Sequence, residues 1–172
     1  MSGPAGANAV FSDGNGVATS TALTANGIAG SYQATATVGL QSAVFLLRNR
    51  LACSLDLDDD GVVLAHTDAL LLLRYIGNTI ANVDLTANAK NPSSTVTASA
   101  IQAAVEAMRN GLFVDVDGDN VVDRKDALIV LRALLGFRDT ALTDGLSLTG
   151  SSRNTGSALR QWLTTHCGIN LP

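Results

Sequence analysis

The chain has 172 residues, of which 47% are hydrophobic and only 4% aromatic, and its formal net charge is −4 at pH 7. This length and apolar content suffice for one main domain with a buried core and a smaller appendage. No basic patch accompanies the acidic balance, which argues against nucleic acid as a partner. No apolar run approaches the length of about 18 residues that would predict a membrane-spanning helix.

Residues 1–39 differ in composition from the rest of the chain and predict β-structure. GVATSTAL at 16–23 and GSYQATATV at 30–38 alternate small, β-branched and aromatic residues on either side of Asn26-Gly27, a pattern typical of two strands joined by a turn. The stretch from residue 9 to residue 38 also resembles the closing strands of bacterial immunoglobulin-like repeats, a fold that needs about seven strands. We therefore expect an appendage that is either part of a cut domain leaning on the helices, or a pair of strands that exchange with another copy.

Residues 40–172 predict a mainly α domain of about five helices, built from a repeated loop and helix. QSAVFLLRNRLACS at 41–54 predicts the first helix, and AIQAAVEAMRNGLF at 100–113 and SALRQWLTTHC at 157–167 predict two of the same kind. The string Asp-Ala-Leu-x-x-Leu-Arg, at 68–74 and at 126–132, starts two further helices, which we name the exit helices. Gly77 and Gly136 are expected to end the exit helices as left-handed caps. Their inward faces are predicted at Leu70, Leu73 and Ile76 in the first, and at Leu128, Leu131, Leu134 and Leu135 in the second.

Loop one, residues 56–68, has the spacing of a calcium-binding loop. Calcium takes six to eight oxygen ligands, which a twelve-residue loop supplies from positions 1, 3, 5, 7, 9 and 12. The predicted ligands at the first four of these positions are the side chains of Asp56, Asp58 and Asp60 and the carbonyl of Val62. Position 9 is Leu64, and the closing Asp68 falls at position 13. Either a bulge before the helix lets Asp68 reach the ion, or Thr67 or a water molecule closes the shell.

Loop two, residues 115–126, follows the twelve-residue frame without interruption. Its predicted ligands are Asp115, Asp117, Asp119, the carbonyl of Val121, Asp123 (directly or through water) and Asp126. Asn120 stands at position 6, where the backbone turns with positive φ and glycine is usual. Ten of the fourteen aspartates lie in the two loops, and helix capping or turn formation alone would not gather them twice. We therefore expect two calcium ions, whose four positive charges balance the net charge of −4.

The two segments carry a resemblance to a known family. Asp-x-Asp-x-Asp with Gly or Asn next, followed by Asp-Ala-Leu-x-x-Leu-Arg, is similar to dockerin modules and to the wider group of EF-hand-type calcium repeats in bacterial extracellular proteins. The likeness covers residues 55–77 and 114–137 and implies paired loop-helix units, two calcium ions and a location outside the cell or at its surface. The loops begin 59 residues apart, from Asp56 to Asp115, and each is expected to follow a helix. These features favour paired EF-hands over a compact cohesin-binding dockerin.

The sequence thus predicts an extracellular calcium-binding structural module, whose secretion signal we expect outside this chain. One alternative is an interaction module that binds a cohesin-type partner through the exit helices, and another is an assembly unit that uses the N-terminal strands. Arg74 and Arg132 are expected to be solvated ends of the exit helices, with partner contact as the alternative. His66 and His166 belong to no recognisable catalytic motif, so no enzymatic activity is expected.

Cys53 and Cys167 occupy equivalent places, each at the end of a predicted helix that precedes or would precede a loop. The pair is compatible with a disulfide that closes a long loop. Two buried free thiols fit the sequence equally well.

Overall fold

The structure, a computed structural model, describes residues 9–22, 28, 30–77 and 84–172. The chain divides into two compact units, Met1–Leu51 and Ala52–Pro172. No helix in the described ranges is long and apolar enough to cross a membrane.

The first unit contains an antiparallel hairpin of two nine-residue strands, β1 (Gly30–Val38) and β2 (Gln41–Asn49). Its register runs from the pair Gly30 and Asn49 to the pair Val38 and Gln41, and residues 39–40 form the turn. The expected domain boundary after residue 39 therefore falls inside this turn. The strand predicted at 30–38 is confirmed.

Two predictions for this unit are wrong. The helix expected over 41–54 is β2 for most of its length, because a short apolar run fits a strand as well as a helix and the pairing with β1 decides. The strand expected over 16–23 is absent from residues 16–22, which follow a turn instead. In this turn, Oδ1 of Asp13 accepts the amides of Asn15 and Val17 at 2.9 Å each. The turn expected at Asn26-Gly27 lies outside the described residues.

The second unit contains, in its described part, a π-helical turn and five α-helices. The π-helical turn spans Ala65–Ala69 and continues directly into α1 (Leu70–Gly77). The other helices are α2 (Ala98–Asn110), α3 (Arg124–Leu134), α4 (Asp139–Thr143) and α5 (Gly156–His166). The exit helices are thus α1 and α3, and they pack against each other, while α2 packs on α1 and α5 packs on α3 and α4. The helices predicted over 100–113 and 157–167 are confirmed as α2 and α5, whereas α4 has no counterpart among the predicted helices.

Thr97 and Thr155 start α2 and α5 by accepting the amides of Ala100 and Ala158 at 3.2 and 3.3 Å.

One apolar core joins the helices of the second unit. The largest fully buried side chains within the helices are Leu71 and Leu72 of α1, Ile101 of α2, Ile129 and Val130 of α3, Leu142 of α4, and Leu159 and Leu163 of α5. Each stabilises the folded chain by about 1.5–3 kcal/mol relative to an exposed side chain.

The inward faces predicted for the exit helices are confirmed in part. Five of the predicted residues pack against the core and are partly buried, namely Leu70, Leu73, Ile76, Leu131 and Leu134. Leu128 is partly buried, and Leu135 is 58% exposed. The most deeply buried positions are their sequence neighbours, such as Leu71 and Leu72 in α1 and Ile129 and Val130 in α3. This is because α1 and α3 each pack against several elements, which enclose more of each helix than one stripe.

The two glycines predicted as helix caps behave differently. Gly136 has φ +86 and follows the end of α3, which confirms it as a left-handed cap. Gly77 lies within α1 and has no positive φ, so that prediction is wrong. A Cβ there would lie 3.0 Å from Nε of Arg124, whose Nη2 donates to the Gly77 carbonyl at 2.6 Å.

Cys53 and Cys167 form a disulfide that spans 114 residues of sequence and fastens the start of loop one to the end of α5. Both residues are buried at the edge of the core. The disulfide alternative is therefore the correct one.

The predicted fold class, mainly α with paired EF-hand units, is wrong. An EF-hand needs a helix before and after its loop, and the segment before loop one forms β2 instead. Only loop two follows a helix, α2, in the described residues. The number of α-helices matches the prediction, but the chain combines these helices with a substantial hairpin.

Candidate metal centres

Two groups of three aspartates each bring their carboxylates together. Triad one consists of Asp56, Asp58 and Asp68, and triad two of Asp115, Asp117 and Asp126. In each triad one carboxylate oxygen from every residue lies within 4.8 Å of the others, and all six residues are buried. Each triad could hold a metal ion.

The electrostatics of the triads favour a cation. Burial raises the pKa of the Asp126 carboxyl to about 7 and also raises that of Asp68, because an ionised carboxylate is costly away from water. Oδ1 of Asp58 and Oδ2 of Asp117 are buried and accept no hydrogen bond from the described residues, although Nζ of Lys125 forms an ion pair with Oδ2 of Asp117 at 3.3 Å. A buried carboxylate oxygen that accepts no hydrogen bond is rare in a folded protein, and a bound cation is one of its ordinary explanations.

The π-helical turn closes loop one. Its extra residue is absorbed by the hydrogen bond from the Ala69 amide to the Leu64 carbonyl, five residues back, at 3.2 Å. This places Asp68 in triad one, where its Oδ1 accepts the amide of Leu57 and its Oδ2 that of Leu64, both at 2.8 Å. The bulge expected before the helix is therefore present, and it brings Asp68 next to Asp56 and Asp58. The Thr67 hydroxyl donates to Oδ2 of Asp68 at 2.9 Å.

Loop two reaches the same arrangement with one residue fewer. Asp126 accepts the amide of Val116 on Oδ1 at 2.7 Å and that of Asp123 on Oδ2 at 2.9 Å. Asp123 in turn caps α3 by accepting the amide of Lys125 at 2.6 Å. The Asp117 amide also donates to Oδ1 of Asp126, at 3.3 Å. The closing carboxylates are therefore held by two backbone amides at Asp68 and by three at Asp126.

The first aspartate of each loop shapes the turn. Asp56 accepts the amides of Asp60 and Gly61 at 3.1 and 3.2 Å. Asp115 accepts three amides in the same way, from Gly118, Asp119 and Asn120, at 2.8–3.2 Å. At position 6, Gly61 has φ +90 and Asn120 φ +66, which confirms the positive φ predicted for Asn120.

The remaining predicted ligands lie outside the triads. Asp60 and Asp119 each accept the amide two residues on, from Val62 and Val121, at 2.8 Å. The side chains of the two valines are about half exposed, at 52% and 53%. Asp123 is half-buried and serves as the helix cap described above.

Each loop is held by the polar connection that follows its exit helix. Over loop one, the Asn91 amide donates to Oδ2 of Asp58 and its side-chain amide to Oδ2 of Asp60, both at 2.7 Å, and the Ser94 hydroxyl donates to the Asp58 carbonyl. These contacts join residues more than thirty positions apart, so the sequence gives no sign of them.

Arg153 holds loop two in the equivalent way. Its Nε donates to the Val116 carbonyl at 2.6 Å and its backbone amide to the Asp117 carbonyl at 2.8 Å. The guanidinium also lies 4.9 Å from the ring centroid of Trp162, on which His166 stacks. Ser152 adds a hydroxyl contact to the Gly118 carbonyl at 3.1 Å.

The arginines of the exit helices anchor these connections. Arg74 donates to the carbonyls of Leu85 and Ala87, at 3.0 and 2.7 Å. Arg132 donates to those of Leu142 and Asp144, at 3.1 and 2.7 Å. The prediction that both are solvated helix ends is wrong, because free carbonyls of the returning chain lie within reach of each guanidinium.

Comparisons with family models, with curated proteins and with solved structures found no match to this chain.

Proposed function

We propose that this chain is an extracellular calcium-binding structural module, in which one Ca²⁺ in each triad stabilises the helical unit. The observation that carries the proposal is a pair of buried carboxylate oxygens that accept no hydrogen bond from the described residues, Oδ1 of Asp58 and Oδ2 of Asp117, within groups of three buried carboxylates. Without a cation, each triad concentrates negative charge in a site of low polarity. A divalent ion removes this cost.

The donor set favours calcium over other metals. All the side chains of both triads offer oxygen, whereas zinc and copper sites recruit His or Cys. Loop carbonyls and the outer aspartates, Asp60 in loop one and Asp119 and Asp123 in loop two, would complete a shell of six to eight oxygens. Such an adaptable shell suits calcium better than magnesium, which keeps several of its waters.

An extracellular setting agrees with this chemistry. Calcium is present at millimolar concentration outside cells, where sites of modest affinity are occupied. The Cys53–Cys167 disulfide is typical of an oxidising compartment. The resemblance of the loop motifs to dockerin modules of bacterial extracellular proteins supports the same location.

The test is calorimetric titration of chelator-treated protein with Ca²⁺, Mg²⁺ and Zn²⁺. We expect two calcium ions per chain, and one in each of the variants Asp58→Asn and Asp117→Asn. Asp144→Asn, at an exposed aspartate outside both loops, is the control and should retain two. At a calcium concentration one hundred times the Kd, each site adds about 2.7 kcal/mol to the free energy of unfolding. A melting temperature that calcium and chelator leave unchanged would rule out the proposal.

A second role, assembly between two copies, is favoured by the hairpin. Opposed residues of an antiparallel pair share a face, and the pairs Tyr32 with Leu47 and Ala34 with Phe45 belong to one apolar face without a charged side chain. Phe45 is 53% exposed and Leu47 41%. Two copies can bring these faces together without charge repulsion.

Light scattering over a range of concentrations tests this second role. We expect a dimer that Phe45→Ser converts to a monomer. Leu46→Ser is the matched control, because Leu46 pairs with Gln33 on the opposite face and is 78% exposed. A wild-type chain that remains monomeric at all concentrations excludes assembly through this face.

A further inference from the structure

A lysine lies among the carboxylates of loop two. Nζ of Lys125 is 2.6 Å from Oδ2 of Asp119, 3.3 Å from Oδ2 of Asp117 and 3.9 Å from Oδ2 of Asp123. The contact with Asp119 is a hydrogen bond, whereas that with Asp117 is an ion pair that leaves Oδ2 without an aligned donor. The ammonium group therefore places a positive charge beside triad two.

Loop one has no such charge at the equivalent place. The residue before its closing Asp68 is Thr67, which is buried and neutral, and donates its hydroxyl to Asp68. Asp60, the counterpart of Asp119, accepts the neutral side-chain amide of Asn91 instead. The two sites thus have matching triads and different residues before the closing aspartate.

We propose that Lys125 competes with calcium for the site formed by triad two, which we name site two, as triad one forms site one. The Lys125 ammonium partly neutralises Asp117 and Asp119 in the ion-free loop, and it gives up its contact with Asp117 when the ion binds. This inference rests on the calcium-binding function proposed above. Calcium must bring its two charges close to Asp117, and a third positive charge 3.3 Å from the same carboxylate opposes it. Lys125 consequently weakens calcium binding at site two, although the loop follows the regular twelve-residue frame.

The competition has a second consequence for the ion-free protein. Lys125 lowers the repulsion among the carboxylates of loop two and so stabilises this loop without calcium. Removing the lysine charge should therefore destabilise the ion-free protein and strengthen calcium binding at the same time. A lysine that only supported the folded loop would weaken both when removed.

The experiment compares Lys125→Met with Lys125→Arg and with Arg109→Met, an exposed residue of α2 whose substitution changes the net charge equally. Each is made in the Asp58→Asn background, so that calorimetry measures site two alone. We expect Lys125→Met to bind calcium on the order of tenfold more tightly and to melt at a lower temperature without calcium. Lys125→Arg and Arg109→Met should keep the parental affinity.

The outcomes separate the inference from the function on which it rests. If the wild-type chain binds two calcium ions and Lys125→Met binds with unchanged or lower affinity, the lysine is no competitor and calcium binding stands. If the wild-type chain binds no calcium, both proposals fail. Lys125→Gln provides a second uncharged variant should Lys125→Met not fold, with the same expected gain in affinity.

Discussion

The backbone amide of Leu57 donates a 2.8 Å hydrogen bond to Oδ1 of Asp68, across a loop with one residue more than its counterpart. Val116 and Asp126 make the same contact at 2.7 Å in the shorter loop. The π-helical turn at Ala65–Ala69 makes the two arrangements equivalent. A buried carboxylate thus serves both as an acceptor for the loop backbone and as a member of the triad.

Substitution of Asp68 separates these two roles. In chelator, Asp68→Asn removes the buried charge yet keeps an oxygen for the Leu57 amide, whereas Asp68→Ala leaves that buried amide without an acceptor. We expect the alanine variant to be less stable than the asparagine variant by about 1–3 kcal/mol, measured by urea unfolding. Calcium binding at site one should be lost in the alanine variant and weakened in the other. Equal stability of the two variants would contradict the structural role.

Trp162 should report calcium binding at site two. It is the only tryptophan of the chain, and Arg153 connects it to loop two through the cation–π contact and the hydrogen bond to the Val116 carbonyl. Because an ion in triad two changes the loop that Arg153 holds, we expect calcium to change the tryptophan emission. The change should persist in Asp58→Asn and disappear in Asp117→Asn. A signal that follows Asp58 instead would show that the tryptophan senses site one.

Arg132 should stabilise the fold although it lies on the outer part of α3. Its guanidinium donates two hydrogen bonds to carbonyls of the connection after α3. Hydrogen bonds that involve a charged group contribute about 1.5–3 kcal/mol to stability. We expect Arg132→Met to lower the free energy of unfolding by about that amount. Arg138→Met, at an exposed arginine of the same connection, should change it by no more than about 0.5 kcal/mol. A similar small effect in both variants would make Arg132 a solvated side chain after all.

The disulfide should contribute strongly to the free energy of unfolding. Cys53 and Cys167 close a loop of 114 residues, for which the chain-entropy account gives about 4–5 kcal/mol. The double variant with serine at both positions should lose about this much free energy of unfolding relative to the oxidised chain. Reducing agent should lower the melting temperature of the wild-type chain and leave the double variant unaffected. A wild-type chain that melts alike with and without reductant would show that the bridge contributes little.

The candidate sites were largely predictable because the aspartates of each triad lie close together in the sequence. The spacing of Asp115, Asp117 and Asp126 lies within twelve residues, and the triad follows from it directly. Triad one was predictable only as one of two alternatives, since the sequence shows the inserted residue but not the π-helical turn that absorbs it. The contacts of Asn91 and Arg153 with the loops join residues far apart in sequence, and no local pattern contains them.

The fold was harder to predict for the same reason. The apolar run in 41–49 fits a helix in isolation, and it forms β2 because β1 lies beside it with a matching register. Leu71 and Leu72 are more deeply buried than the predicted Leu70, Leu73 and Ile76 because several elements enclose α1. Packing against distant segments decided both cases, and the hydrophobic spacing of one segment does not record its neighbours.

Stability should depend on pH in opposite directions with and without calcium. Burial raises the folded-state pKa of Asp126 to about 7, and raises that of Asp68, above the unfolded value of about 4. A raised carboxyl pKa means that the folded, ion-free chain binds protons more tightly than the unfolded chain. The stability gained from protonation is thus fully present below pH about 4 and is lost as the pH rises through about 7.

We therefore expect the melting temperature of the calcium-free protein to rise as the pH is lowered from 8 to 5, measured on protein stripped of metal by a chelating resin. In saturating calcium the melting temperature should fall over the same range, because protons compete with the ion for the same carboxylates. Asp126→Asn removes the group with the largest shift and should flatten the calcium-free dependence. Parallel pH dependences with and without calcium would contradict the assignment of these carboxylates to the ion.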